Sequence, residues 1–297
     1  MEAKEIIFSV VIPTYNRADQ LKDCLDSLLK QTFKHFEVLV CDDGSTDNTA
    51  EVVRSFQQQG LNIRYFFNEN WGGPAYPRNV GIANAGAPWV CFLDSDDIWY
   101  PQKLEKCRPY IERYDLICHD FDIMGKNGPR NKIRTYNFRE HVFENLMTRG
   151  CSIVTSSVCA RKDILQEAGG FAEDKTLIAV EDFDLWLRLA RKGYAFKVIN
   201  ESLGAYWTGG GNITAASNKQ IDRINAVYGK HLDFLKHNRK AAGQAIASQH
   251  YLTGWVKHRM AAYKIAKHDY RIAIASGKLA VKVKALYHYL NVIMRLK

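Results

Sequence analysis

Residues 36–47 read FEVLVCDDGSTD, and this stretch decides the fold. FEVLVC is a short, largely apolar run of the kind that forms a buried strand, and Asp42-Asp43-Gly44-Ser45 ends it in an acidic turn. Runs of the same kind stand at residues 6–12 (IIFSVVI), 63–67 (IRYFF) and 89–93 (WVCFL). Helical patterns lie between them. Leu21, Leu25, Leu28 and Leu29 form one apolar stripe, and Val52, Val53 and Phe56 begin another. Asn48 is predicted to cap the second helix, with Glu51 in the capping-box position. A third helix is predicted over residues 75–85, closed by Gly86. Alternating strands and helices imply an α/β fold with a parallel sheet covered on both faces, and ligands then bind outside the carboxyl ends of the strands.

The chain has 297 residues, 46% apolar and 25% charged. That composition is globular and excludes disordered, collagen-like and coiled-coil readings. No run approaches the roughly 18–20 apolar residues of a spanning helix, and the N-terminus lacks the apolar core of a signal peptide. Seven scattered cysteines without a CxxC pair point to a reducing, cytoplasmic setting, without a disulfide framework or structural zinc. Residues 125–134, rich in glycine and basic side chains, are expected to form a loop. A helix is expected over residues 181–192. Beyond residues 209–211 the chain reads as helical, at residues 251–259, 260–266, 270–275 and 279–296. The division expected is residues 1–217 and residues 218–297.

Charge divides in nearly the same place. Residues 219–297 hold 16 Lys/Arg against three Asp, a balance of +13, whereas residues 1–218 hold 25 against 29 acids. Halves of opposite sign point to a polyanion or an anionic membrane face for the tail; a solvated basic helical face is the plain alternative. No nucleic-acid reading motif accompanies the charge, and phosphate attraction alone gives no specificity.

Three acidic groups fall where the fold places ligands: Asp42-Asp43, then Asp94-Ser95-Asp96-Asp97 after the fourth strand, and Glu181-Asp182 opening a helix. Three aspartates in four residues repel one another, and a cation or several donors usually offsets such a cluster. Oxygen ligands without a nearby histidine suit Mg²⁺ or Mn²⁺. Turn chemistry is the alternative for both aspartate groups, more so for Asp42-Asp43-Gly44-Ser45.

Six segments carry a resemblance: residues 9–17 (SVVIPTYNR), 40–47 (VCDDGSTD), 77–86 (PRNVGIANAG), 92–97 (FLDSDD), 169–171 (GGF) and 181–190 (EDFDLWLRLA). In this order and spacing the chain, over about residues 6–215, resembles the family 2 glycosyltransferases. The resemblance implies a GT-A fold, a Rossmann-like mixed sheet flanked by helices, here with a C-terminal helical appendage. It implies an inverting, metal-dependent hexosyltransferase acting on a nucleotide-sugar donor, a UDP-sugar, and on a glycan or lipid-linked acceptor in bacterial-type surface polysaccharide or lipopolysaccharide synthesis.

Residue by residue, the resemblance puts Pro13, Thr14 and Tyr15 at the base and gives Asp42 the uracil ring N–H. Arg17, Asp43 and Ser95 belong to the same donor site, and Arg78 contacts the diphosphate or donor sugar. Asp94 and Asp96 form the D-x-D pair, Asp96 holding Mn²⁺ or Mg²⁺ and Asp94 lying nearer the ribose. Asp182 is the base and Glu181 orients the acceptor; Trp186 either contributes there or is core. Near Tyr206, where many members carry an arginine or histidine, this chain reads Tyr206-Trp207-Thr208-Gly209, with Thr208 or Asn212 as substitutes. His119 and His231 lie off that motif and read as surface or core residues. In the tail, Tyr251, Trp255, Tyr263, Tyr270, Tyr287 and Tyr289 beside lysines suit a peripheral membrane contact, or else a helical core and a homo-oligomer interface. A silent nucleotide-sugar-binding scaffold and a nucleic-acid-binding protein are the competing functions.

Overall fold

The computed structural model describes residues 5–125, 128–138, 140–207 and 216–296. In chain order the elements begin with β1 (Phe8–Thr14), α1 (Ala18–Leu29), β2 (Phe36–Asp42), α2 (Thr49–Gln58), β3 (Ile63–Phe67), α3 (Ala75–Asn84) and β4 (Trp89–Phe92). There follow β5 (Asp97–Trp99), α4 (Lys103–Cys107), β6 (Leu116–Gly125), β7 (Gly128–Ile133), α5 (Val142–Arg149), β8 (Cys159–Arg161), α6 (Lys162–Glu167), α7 (Glu181–Arg191) and β9 (Phe196–Trp207). Helices α8 (Asn218–Leu232), α9 (Arg239–Arg259), α10 (Tyr263–Ser276) and α11 (Leu279–Leu296) complete the described chain.

Two compact units divide these elements. The first comprises Met1–Phe138, Ser152–Glu173 and Lys192–Gly210, and the second Arg139–Cys151, Asp174–Arg191 and Gly211–Lys297. All strands belong to the first, in a sheet ordered β3-β2-β1-β4-β8-β6-β9-β5, with β7 paired to β6. The first four strands in sequence pair in parallel. Every residue of β1 and β2 is buried, as inner strands covered on both faces require. Helix α3 packs closely on β1 at Gly81, where a Cβ would come 2.3 Å from a methyl of Val11.

The remaining strands depart from an all-parallel sheet. β8 is antiparallel to β4 and β6, β9 is parallel to β6, and β5 is antiparallel to β9. The loop expected over residues 125–134 is instead largely a hairpin, with β6 and β7 pairing antiparallel as far as Gly125 and Gly128; its tip lies outside the described residues. The capping expected of Asn48 also fails, since its side chain makes no cap bond. Asp47 does that work: one oxygen accepts from the Thr49 N–H and hydroxyl, and the other from the Ala18 N–H.

Cys91 and Cys159 are disulfide-bonded, a single bridge that the expectation of a reducing setting did not include. They are direct partners on antiparallel β4 and β8, with Cα atoms 4.1 Å apart. Sixty-eight residues separate them, so spacing in the sequence does not reveal the pairing. The Lys103 ammonium, buried and 3.6 Å from the Trp99 ring centroid, donates to Cys159 Sγ at 2.8 Å.

In the second unit α8, unread from the sequence, buries Ile224, Val227, Tyr228 and His231 on one face. Residues 239–259 form one continuous helix, α9, and residues 260–262 are a turn rather than the start of another. Tyr270, Ala266 and Ala273 of α10 form an apolar cluster with Val281, Ala285 and Val292 of α11. Among the described residues no helix is long and apolar enough to cross a membrane.

Candidate active site

The carboxyl ends of β1, β2 and β4 lie together because Thr14 pairs with Asp42 and Val11 with Phe92. Beyond β1 the chain turns through Asn16, whose φ is +49°. The Asn16 N–H donates to Ser45 Oγ at 2.8 Å, and its side-chain oxygen accepts from the Thr46 N–H at 2.8 Å. This double bond pattern ties the loop after β1 to the loop after β2. Pro13 and Thr14 are buried in β1, whereas Tyr15 is 47% exposed. Thr14 Oγ1 is buried and makes no hydrogen bond among the described residues.

Asp42 is fully buried, and its two oxygens accept from the Ser45 N–H at 2.8 Å and the Tyr65 hydroxyl at 2.6 Å. Asp43 is wrapped by the loop before α3. One of its oxygens accepts from the Trp71 N–H at 2.8 Å, and the other from Gly72 and Gly73 at 2.9 and 3.3 Å. Three amides converging on one carboxylate fix that loop.

After β4 the chain passes through Asp94, Ser95 and Asp96 into β5. Asp94 accepts from Arg78 Nη2 at 2.6 Å, and Asp96 is ion-paired with Arg17. Ser95 and Asp97 are buried. Ser156 holds the turn from below: its hydroxyl accepts from the Asp94 N–H at 3.0 Å and donates to Asp97. Burial, then the Asp94 charge, raises the Asp96 carboxyl above its ordinary range. The same two causes raise Asp97 further. The cluster is therefore strained electrostatically, and two arginines only partly offset it.

Helix α3 explains two of the motifs together. The Arg78 guanidinium lies 5.1 Å from the Phe171 ring centroid. Asn79 accepts from the Phe171 N–H at 2.8 Å and donates to the Phe171 carbonyl at 2.9 Å. Gly170 has φ +67°, and a Cβ there would come 2.4 Å from Asn79 Oδ1. The Pro77-Arg78-Asn79 segment and the Gly169-Gly170-Phe171 turn thus form one latch behind Asp94. Sequence reasoning assigned Asn79 and Phe171 no role, because the contact spans 92 residues.

β5 pairs with β9 so that Asp97 faces Tyr206. The departure near Tyr206 therefore runs beside the carboxylate turn; Thr208 and Asn212 lie outside the described residues.

In the second unit, Glu181 and Asp182 open α7. Glu181 is buried and Asp182 is half-buried, its Oδ1 accepting from the Phe183 N–H at 2.7 Å. Trp186 is fully buried, as the core alternative of its two readings expects. Two residues before Trp186, and unassigned from the sequence, Asp184 is also fully buried. It accepts from His231 Nε2 at 2.9 Å, Lys230 Nζ at 2.7 Å and Arg188 Nε at 2.8 Å. Burial pushes the Asp184 carboxyl up, but these donors outweigh it and hold the group below its usual range. His231 is thus a core anchor of α7 to α8. His119, in the first unit, is a core residue pushed down to about 3 by burial and then by the Lys103 charge.

The model of glycosyl transferase family 2 matches residues 9–167, and that of glycosyl transferase family group 2 matches residues 89–268. The chain belongs to glycosyltransferase family 2. The amylovoran biosynthesis glycosyltransferase AmsB of Erwinia amylovora is 34% identical over 217 residues, 68% of this chain and 70% of AmsB. An uncharacterized glycosyltransferase of Rickettsia felis is 34% identical over 214 residues, 71% of this chain but only 35% of that protein. A crystal structure of S. aureus TarS superposes with a TM-score of 0.65 at 22% identity, over 95% of this chain and 52% of TarS. TarS 1–349 in complex with UDP-GlcNAc gives 0.61 at 18% identity, over 96% of this chain and 90% of that one. The mannosyltransferase PcManGT from Pyrobaculum calidifontis, in complex with GDP-Man and Mn²⁺, gives 0.62 at 18% identity, over 98% and 80%. These likenesses show the fold: a GT-A mixed sheet flanked by helices, followed by further helices.

Proposed function

We propose that the chain transfers a hexose with inversion from a nucleotide-sugar donor, a UDP-sugar, to a hydroxyl of a glycan or lipid-linked acceptor in surface polysaccharide synthesis. The observation that carries this reading is the carboxylate turn Asp94–Asp96 at the end of β4, braced by Arg17 and Arg78, in a family 2 chain. The name of AmsB supports the polysaccharide setting. The TarS complex supports a UDP-sugar, and PcManGT supports a nucleotide-sugar donor with a divalent metal.

A metal ion suits the donor set. Among the described residues no three His, Cys, Asp or Glu side chains converge as ligands. Two carboxylates are nonetheless a usual protein share for Mg²⁺ or Mn²⁺, with phosphate oxygens and water completing the shell. Asp96, raised by burial and by Asp94, is a carboxylate whose charged form a cation stabilises. Asp96, with Asp94, would hold the ion, and a bound ion would supply positive charge against the diphosphate leaving group.

The remaining roles fall to the protein's own groups. Tyr15 offers an exposed ring to the base, next to Pro13 and Thr14 at the end of β1. Asp42 reads the base N–H only if the Ser45 turn or Tyr65 gives way, since it is buried beneath both. Asp43 holds the Trp71–Gly73 amides in place, and Arg78 and Arg17 supply positive charge along the diphosphate. Asp182 accepts the proton of the acceptor hydroxyl as that oxygen attacks the anomeric carbon. Glu181 orients the acceptor. One displacement on an oxocarbenium-like centre inverts the configuration.

Melting midpoints with UDP, GDP, dTDP and CMP sugars in Mn²⁺ test the donor, because a ligand bound to the folded state alone raises the midpoint with its occupancy. A UDP-sugar should give the largest rise. A larger rise with a GDP- or dTDP-sugar than with every UDP-sugar would overturn the donor assignment.

A further inference from the structure

Helix α11 has two apolar faces. Val281, Ala285 and Val292 are buried in the cluster with α10, with Tyr251 of α9 against it. On the other side stand Leu279, Val283, Leu286, Tyr287, Leu290 and Met294, each between 47% and 78% exposed. Their spacing of mostly three and four residues puts them on one stripe of the helix. A contiguous exposed apolar stripe is uncommon on a protein surface without a partner.

The stripe has a cationic border. At 100° per residue, Lys282 falls along one edge, and Lys284 and Arg295 fall along the other. No acidic residue occurs after Asp269, and the Asp269 carboxylate is already bonded to His250 and Lys257. On α9, Trp255 is partly exposed with the Arg259 guanidinium 4.8 Å from its ring centroid. The other aromatics expected at a headgroup layer are mostly elsewhere. Tyr270 is fully buried, and Tyr251, Tyr263 and Tyr289 pack against the same cluster. The aliphatic stripe, unread from the sequence, takes their place.

We infer that the exposed face of α11 docks on an anionic lipid bilayer, lying in the plane of the surface. An apolar stripe edged by Lys and Arg matches both layers it would meet: acyl chains at the centre, and lipid phosphates at the borders within reach of the flexible cations. A second copy of the chain fits less well. Two-fold pairing of α11 through the stripe brings the cationic borders of both copies to one seam, and α11 carries no acid to offset Lys282, Lys284 and Arg295 there.

Co-sedimentation of the full chain with phosphatidylglycerol and with phosphatidylcholine vesicles tests the inference. Binding to phosphatidylglycerol at low salt, weakened by added salt and much lower on phosphatidylcholine, is the expected result. Val283→Glu with Leu290→Glu, both at exposed positions, should reduce it more than tenfold without moving the melting midpoint. Lys282→Gln and Lys284→Gln should each weaken it about fivefold. Indifference of the wild-type chain to phosphatidylglycerol at low salt overturns the inference. So does a glutamate variant that binds vesicles normally, or one that only lowers the mass in sedimentation equilibrium, which would assign the stripe to a second copy. Vesicle binding needs neither donor nor acceptor, so its failure leaves the transfer reaction untouched.

Discussion

Arg78 donates to Asp94 at 2.6 Å while lying 5.1 Å from the ring centroid of Phe171. One buried guanidinium thus joins the carboxylate turn after β4, helix α3 and the glycine turn that precedes Phe171. Charge placed this way is held by packing before a ligand arrives, which is the condition for electrostatic preorganisation.

The latch predicts unequal costs at two neighbouring glycines. Both Gly169 and Gly170 have positive φ, but only at Gly170 would a Cβ meet another group, Asn79 Oδ1 at 2.4 Å. Gly169→Ala should cost about 1 kcal/mol from backbone strain, and Gly170→Ala about 2–4 kcal/mol from strain plus overlap. Urea unfolding midpoints compare them. Equal losses would mean that the contact with Asn79 does not constrain the turn.

Asp184 predicts an acid-dependent stability. Its folded-state carboxyl is held below the usual range, net of burial, by His231, Lys230 and Arg188. The contribution is therefore complete above the unfolded pKa of roughly 3.9 and is lost as pH falls through the lower folded value. Asp184→Asn should destabilise by about 3–5 kcal/mol at neutral pH, since it breaks a buried ionic group. The gap between wild type and variant, read from denaturant midpoints, should narrow as the pH drops below 4. A gap that stays constant to strong acid would show that the charge is not what stabilises α7.

Much of this was legible in the sequence where physics is local. The strand runs ending in Asp42 and just before Asp94 announce themselves by apolar content, and the ligand-bearing ends of a parallel sheet follow from alternation. The Asn79–Phe171 latch and the Cys91–Cys159 bridge were not legible, because each joins residues far apart in sequence through a register that only the folded sheet defines. Asp184 was hidden by its neighbours: beside Glu181 and Asp182 it reads as one more acid at a helix start, and only α8 supplies the His231 and Lys230 that bury it. The α8 stripe of Ile224, Val227, Tyr228 and His231 has helical spacing, but a histidine in the last place breaks the apolar pattern. In the tail, the aliphatic stripe of α11 is not distinct in the sequence, because apolar side chains fall on both faces of that helix and only packing against α10 decides which face is covered.

Asp96→Ala tests the carboxylate turn. The substitution removes the ion pair with Arg17 but also relieves repulsion with Asp94, so stability should change by no more than about 1 kcal/mol. Turnover that depends on added Mn²⁺ or Mg²⁺ should vanish. Titration of activity with either ion checks this, and wild-type metal dependence in the variant would place the metal elsewhere.

The central claim, that this family 2 chain is a working transferase with Asp182 as its base, is tested most directly by one comparison. Product formation from a radiolabelled nucleotide sugar is measured for the wild type and for Asp182→Asn, with donor binding measured in parallel. Unchanged donor binding and a rate lower by on the order of 10²–10⁴-fold are expected. A variant that turns over at the wild-type rate, or one that loses donor binding along with activity, would contradict that claim.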